Sequence, residues 1–267
     1  MATYLFIDGG YLRRNYTDSV RSWFREAGEI DFRAVKGGLA QAGRGGIERC
    51  FYYDALEDEQ REGETEEDFK LRISQDEMFF NKIEELAGYF VRLGSLTGHR
   101  NRRQKKVDIL LAVEALDHAV RRNMDRAILL TGDRDFEPLV HSLVQLGVRV
   151  EVAGDRKTTS KYLRRAADVY RLLSFADYYH WTIDSLRARF PMSVRSVGDN
   201  LDHAAVFEHG TFQGKNVTLS KMGAHKVFYM QVELFHNDKN HLTLQSDDAE
   251  RLKLYFELQY GKVDWKN

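Results

Sequence analysis

The feature that most constrains this chain is a short apolar run, residues 127–130, that stops on Thr131-Gly132-Asp133 and gives way to helical spacing. Four apolar residues bounded by small polar ones read as a buried strand. Beyond the turn, Phe136, Leu139, Val140, Leu143, Val144 and Leu146 recur at the interval of one helical face. The turn therefore lies between the carboxyl end of a strand and the start of a helix, where open α/β sheets bind ligands. Asp133 and Asp135 stand there one residue apart. Each also has a purely local use. Asp133 suits a cap that accepts free backbone N–H groups, and Asp135 suits a first turn, where the helix dipole favours an acid. The rest of the chain decides between these uses and chemistry.

The same arrangement recurs. Residues 3–7 form an apolar strand closed by Asp8-Gly9-Gly10, where glycine permits a sharp turn. An amphipathic helical pattern starts at Tyr11, with Arg13, Arg14 and Arg21 on its wet side. A helix over 32–42 and a glycine loop lead to a strand over 47–53, closed by Asp54. Residues 57–68 are strongly acidic and read as a solvated loop running into a helix over 69–88, followed by a strand over 89–93. Residues 97–106, the most basic segment, run into a helix at Val107-Asp108 whose apolar residues include Ile109, Leu110, Val113 and Leu116. A strand over 148–153 ends at Gly154-Asp155, and Arg156, Lys157, Lys161, Arg164 and Arg165 follow. An edge strand over 168–173 and a helical turn over 175–181 complete the series. Alternation of this kind predicts a three-layer α/β/α sandwich around a mostly parallel sheet.

From about Thr182 the pattern changes. Strands are expected over 206–208, 215–219, 227–235 and 242–244, and Asp247-Asp248 opens a helix over 249–260. We read residues 1–181 as the α/β domain and 182–267 as a small α+β domain without a catalytic constellation. Its aromatics Phe228, Tyr229 and Phe235 read as core. Its role is open between substrate recognition, regulator binding and a homodimer contact.

A net charge of −1 over 267 residues means that any surface for a polyanion must be local. The single cysteine, Cys50, excludes an internal disulfide and a cysteine metal cluster, and fits a reducing compartment. No apolar run is long enough to cross a bilayer, and no basic or apolar leader precedes the first strand, so a cytoplasmic protein with no membrane partner is expected.

Asp8, Asp108, Asp133 and Asp135 all fall at strand ends or helix starts, and a parallel sheet gathers such ends on one edge. Crowded carboxylates repel unless a cation neutralises them. An all-oxygen set suits Mg²⁺ or Mn²⁺ rather than zinc. Asp108 and Glu114 lie six positions apart, more than half a turn round the helix, so Asp108 is the expected ligand and Glu114 is left to support it or to face solvent. Arg13, Arg102, Arg103, Lys105, Lys106, Arg134 and Lys157 supply basic groups that would hold a phosphate backbone through charge. Divalent ions in such a setting promote phosphodiester hydrolysis.

Phe6-Ile7-Asp8-Gly9-Gly10, Lys106-Val107-Asp108 with Glu114, and Leu130-Thr131-Gly132-Asp133-Arg134-Asp135-Phe136 occur in the order seen in NYN-domain proteins. Over residues 3–175 the chain resembles that branch of the PIN-like nucleases, its LabA-like bacterial members nearest. The resemblance implies a parallel α/β/α sandwich with an acidic, Mg²⁺- or Mn²⁺-binding centre and endonucleolytic cleavage of RNA. It implies catalytic roles for Asp8, Asp108, Asp133 and Asp135, with Asp8, Asp108 and Asp133 on the metal. Glu114 stands where many relatives have Asp. Tyr11 stands where the family often has Asn, with Asn15 a turn later as a substitute, and Arg134 replaces a small residue between the last two acids. Two further readings stay open: an RNA- or protein-binding module without catalysis, and a phosphatase or 5′-nuclease of similar chemistry.

Overall fold

The computed structural model describes residues 1–40, 46–56, 59–97, 103–105, 107–197, 204–222, 227–233 and 241–266. Its elements begin β1 (Thr3–Asp8), α1 (Gly9–Phe24), α2 (Phe32–Leu39), β2 (Ile47–Leu56), α3 (Glu66–Glu84), β3 (Tyr89–Thr97), β4 (Arg103–Lys105) and α4 (Val107–Val120). They continue with β5 (Arg126–Leu130), α5 (Glu137–Gln145), β6 (Arg149–Asp155), α6 (Lys161–Ala166), β7 (Val169–Leu173) and α7 (Phe175–His180). The first sheet has the order β4-β3-β2-β1-β5-β6-β7, and every pairing in it is parallel except β3 with β4.

The central strands are buried on both faces, which is why β1 and β5 read as unbroken apolar runs. On one face Phe6 stacks on Phe51 at 5.3 Å, and Leu129 and Val152 meet Leu111, Val140 and Leu163 from α4, α5 and α6. Tyr52, on the opposite face, takes Phe32 of α2 edge-on at 5.3 Å. Cys50 is buried in β2, and that burial pushes its thiol up to about 11, far from a reactive thiolate.

The structure departs from the expected elements in three places. The acidic run turns helical earlier than its lack of apolar residues suggests. Thr65 caps α3 by accepting from the Asp68 N–H, and Glu66, Glu67 and Asp68 occupy the first turn, where the dipole favours them. The basic run holds a short strand, β4, antiparallel to β3. In α4 the inward face is Val107, Leu111, Ala115 and Ala119, while Ile109, Leu110 and Val113 face solvent.

Two compact units divide the chain. One comprises Met1–Asp18, Glu29–Leu173 and His180–Thr182; the other comprises Ser19–Gly28, Ser174–Tyr179 and Ile183–Asn267. The second contains α8 (Asp184–Arg189), β8 (Arg195–Val197), β9 (Ala204–Phe212), β10 (Lys215–Met222), β11 (Phe228–Glu233), β12 (His241–Ser246), α9 (Ala249–Gln259) and β13 (Asp264–Trp265). Its strands form an antiparallel sheet in the order β13-β9-β10-β11-β12-β8. Asp248 caps α9, whose Leu252 and Phe256 pack with Val217, Leu219, Met230, Val232 and Leu244. Phe228 packs against that cluster and Tyr229 is buried; Phe235 lies outside the described residues. No helix among the described residues is long and apolar enough to cross a membrane.

Candidate active site

Three strand ends build the site. In the sheet Ile7 is in register with Leu130, so the residues that follow, Asp8 and Thr131, emerge side by side. The Thr131 hydroxyl donates to Asp8 Oδ2 at 2.8 Å, and the Tyr11 N–H donates to Asp8 Oδ1 at 3.0 Å. Asp8 is thereby held in one orientation at the top of β1. Gly132 follows because nothing larger fits: a Cβ there would overlap the Thr158 carbonyl oxygen and meet the Tyr11 ring at 2.5 Å. Asp133 then accepts the Asp135 N–H at 2.9 Å, so its capping role is real.

These residues line a cleft of about 470 Å³. Its lining includes Asp8, Asp108 and Asp133 together with Arg14, Arg134, Lys157, Thr158, Thr159 and Ser160. Burial pushes the Asp8 carboxyl above its usual range, and the charges of Asp54 and Asp133 add to this against the Tyr11 and Thr131 hydrogen bonds. Asp108, at the start of α4, is pushed up to about 6, by burial first and then by the charges of Asp8, Asp133 and Asp135. Carboxylates distant in sequence therefore act on one another here. Asp135 does not line the cleft, yet its charge is felt at Asp108.

Tyr11 also holds the loop that follows β6. Its hydroxyl lies 3.0 Å from the hydroxyls of both Thr158 and Thr159 and accepts the Asp155 N–H at 2.9 Å. Asn15 donates to the Tyr11 carbonyl at 2.8 Å and accepts from the Thr158 hydroxyl at 2.7 Å. Asn15 thus reaches the cleft from the next helical turn, but with its amide already engaged. Arg134 lies over the Tyr162 ring at 4.3 Å.

Other expected residues stand elsewhere. Arg13 does not line the cleft; its guanidinium donates to Asp54 Oδ1 at 2.7 Å. Asp54 is fully buried and also accepts from the Tyr52 hydroxyl and the Ala55 N–H. Glu114 is turned to Arg92, at 2.9 Å, and to the Tyr53 hydroxyl, at 2.8 Å. Arg103 and Lys105 lie on β4, opposite Thr97 and Ser95. Arg102 and Lys106 lie outside the described residues. Arg14, Tyr11 and the run Thr158-Thr159-Ser160 were not singled out from sequence as cleft residues. The strand-end rule that points to Asp8 and Asp133 applies equally after β6 and would have found that hydroxyl run.

Among the described residues, no three Asp, Glu, His or Cys side chains are close enough to enclose an ion by themselves. The donors are nonetheless all carboxylate oxygens, and Asp108 feels the negative charge of Asp8, Asp133 and Asp135. That chemistry fits Mg²⁺ or Mn²⁺, which bind through one or two carboxylates and keep several waters.

A family model described as the NYN domain matches residues 2–174. No curated protein matches the chain. Among solved structures, a protein of unknown function from Vibrio parahaemolyticus is similar at 20% identity, covering 68% of this chain and 96% of that one with a TM-score of 0.44. A likeness that slight has no bearing on function.

Proposed function

Since the chain belongs to the NYN-domain family through residues 2–174, we propose that it is a metal-dependent endoribonuclease. The observation that carries this reading is that one cleft gathers two unlike sets of side chains. Asp8, Asp108 and Asp133 line it together with three cationic side chains and three hydroxyl residues, and the charges of Asp8 and Asp133 raise the proton affinity of Asp108. A site that bound only anions has no use for the acids, and a purely structural acid cluster has no use for the cations.

In this mechanism Asp8, Asp108 and Asp133 are the carboxylates that would hold Mg²⁺ or Mn²⁺, one or two of them directly and the rest through its waters, and such an ion would polarise a phosphodiester and stabilise the leaving oxygen. Asp8 is presented toward the cleft by the Tyr11 N–H and the Thr131 hydroxyl, so it needs no reorganisation on binding. Arg14, Arg134 and Lys157 hold the RNA backbone by charge, largely without regard to sequence. Asp135 stays at the margin and deepens the negative potential at Asp108.

The test is cleavage of circular and linear RNA by the purified chain with Mg²⁺ or Mn²⁺. Cutting of the circle is expected, and Asp133→Asn is expected to lower the rate at least about a hundredfold while the fold is kept. An Asp133→Asn protein as active as its parent removes the reading. One alternative is an RNA-binding module without catalysis, since the cleft's cations would hold RNA with or without an ion. That alternative predicts salt-sensitive RNA binding that survives EDTA, with no cleavage.

A further inference from the structure

Helix α4 turns apolar residues in two opposed directions. Its inward stripe, Val107, Leu111, Ala115 and Ala119, packs in the sheet core. At 100° per residue, Ile109, Val113, Leu116 and Val120 fall within about 60° of one another, roughly 150° round the helix from that stripe. Ile109 is 66% exposed, Val113 60% and Val120 67%, with Leu110 beside them at 38%; Leu116 is partly buried against the core. An apolar stripe on a helix is normally covered by a neighbouring element. Here one side is bare.

The outward residues are spaced four, three and four apart, the a/d interval of a coiled-coil seam. The seam itself carries no charge. At its margin Asp117 and Arg121 bond to each other at 2.8 Å, so the surface brings no uncompensated charge to a partner. A face that is apolar and internally neutral is self-complementary, which is what a two-fold interface demands.

We propose that α4 is the contact of a homodimer, with the helices of the two copies antiparallel. A two-fold axis between Val113 and Leu116 brings Ile109 onto Val120 of the second copy, and Val113 onto its Leu116. Each layer then sets an a position against a d position. The four exposed residues present on the order of 400 Å² of apolar surface per chain, within the range where a surface patch is commonly functional. Two such faces supply about 800 Å², the apolar centre that a standard interface of about 1,600 Å² contains. α5, packed beside α4, adds exposed Val144 and Leu146. This contact is independent of the nuclease reading, and it places a dimer interface on the α/β unit rather than on the C-terminal one.

Sedimentation of the full chain across the micromolar range tests it. The parent is expected at twice 31.1 kDa. Ile109→Glu and Val120→Lys are each expected to weaken the dimer at least about a hundredfold, with circular dichroism unchanged because both sites are exposed. Mixing the two variants tests the register, because Glu at 109 of one copy then faces Lys at 120 of the other. A heterodimer in the mixture supports the antiparallel pairing. A parent that stays monomeric, leaving the face to a different protein, overturns the proposal. So do variants that remain dimeric, or a mixture that stays monomeric.

Discussion

Replacing Asp108 with asparagine keeps the shape of the side chain and removes its charge, and it is expected to stabilise the metal-free protein at neutral pH. Asp108 is pushed from 3.8 to about 6 by burial and by Asp8, Asp133 and Asp135. At 1.36 kcal/mol per unit the shift would set a ceiling of about 3 kcal/mol. Asp108 is only half-buried, and solvent screening reduces this to on the order of 1 kcal/mol. The sign follows from proton binding. Between about pH 4 and pH 6 the folded chain holds the Asp108 proton more tightly than the unfolded chain does, so stability falls as pH rises through that window. The penalty is absent below the window and complete above it. For a unit of this size 1 kcal/mol corresponds to about 2–4 °C in melting temperature. Calorimetry in EDTA should show Asp108→Asn melting above the parent at neutral pH, with the gap closing near pH 4. Added Mg²⁺ or Mn²⁺ should then raise the parent more than the variant, since an ion that binds only the folded state stabilises it. A variant that melts at or below the parent at neutral pH, or whose gain persists at pH 4, would refute the claim that these aspartates repel one another.

Three further substitutions separate structure from substrate contact. Arg13→Ala is expected to cost about 2 kcal/mol in urea denaturation, because it strips the cation from Asp54, which is fully buried, while RNA affinity of the folded protein is unchanged. Lys157→Ala is expected to do the reverse: stability is kept, RNA binding weakens for every sequence alike, and the slope of log affinity against log salt falls by about 1. Gly132→Ala is expected to displace the Thr158 loop, costing on the order of 1–3 kcal/mol and lowering cleavage more than RNA binding, read from denaturation and from kcat against KM.

The sheet was legible because its central strands are buried on both faces and leave continuous apolar runs. The residues that end them, Asp8 after β1 and Asp133 after β5, were legible because chain order and strand direction alone put them on one edge. What sequence could not supply was partner choice. Arg13 and Arg14 are adjacent on α1 and equivalent as charges, yet Arg13 is taken by Asp54 and only Arg14 lines the cleft. β2 runs on to Leu56 rather than stopping at Tyr53, so Asp54 lies inside the strand, and its burial is what commits Arg13. In α4 apolar residues fall on two opposed sides, so the helical period marks no single inner face. Which stripe turns inward is settled by fit: Ala115 and Ala119, small enough to let the helix approach the sheet, face it, and the larger Ile109 and Val113 do not. The grouping of Ser19–Gly28 with the C-terminal residues is likewise invisible in sequence, since α1 runs without a break from Gly9 to Phe24.

The charged residues of the cleft are held in place largely by uncharged ones. Asp8 is oriented by Thr131, whose side chain is bonded to it across 123 positions of sequence. The Ser160 N–H donates to the Gly132 carbonyl at 3.0 Å, tying the loop after β6 to the loop after β5. Tyr11 ties the same β6 loop to the first turn of α1 through three hydrogen bonds at one hydroxyl. These bonds hold the loops against the mutual repulsion that, after burial, raises Asp108. On the proposed nuclease reading, a cation bound here would relieve that repulsion. The placement of the cleft's acids then rests on Tyr11, Thr131 and Gly132 as much as on the aspartates themselves, although none of the three carries charge.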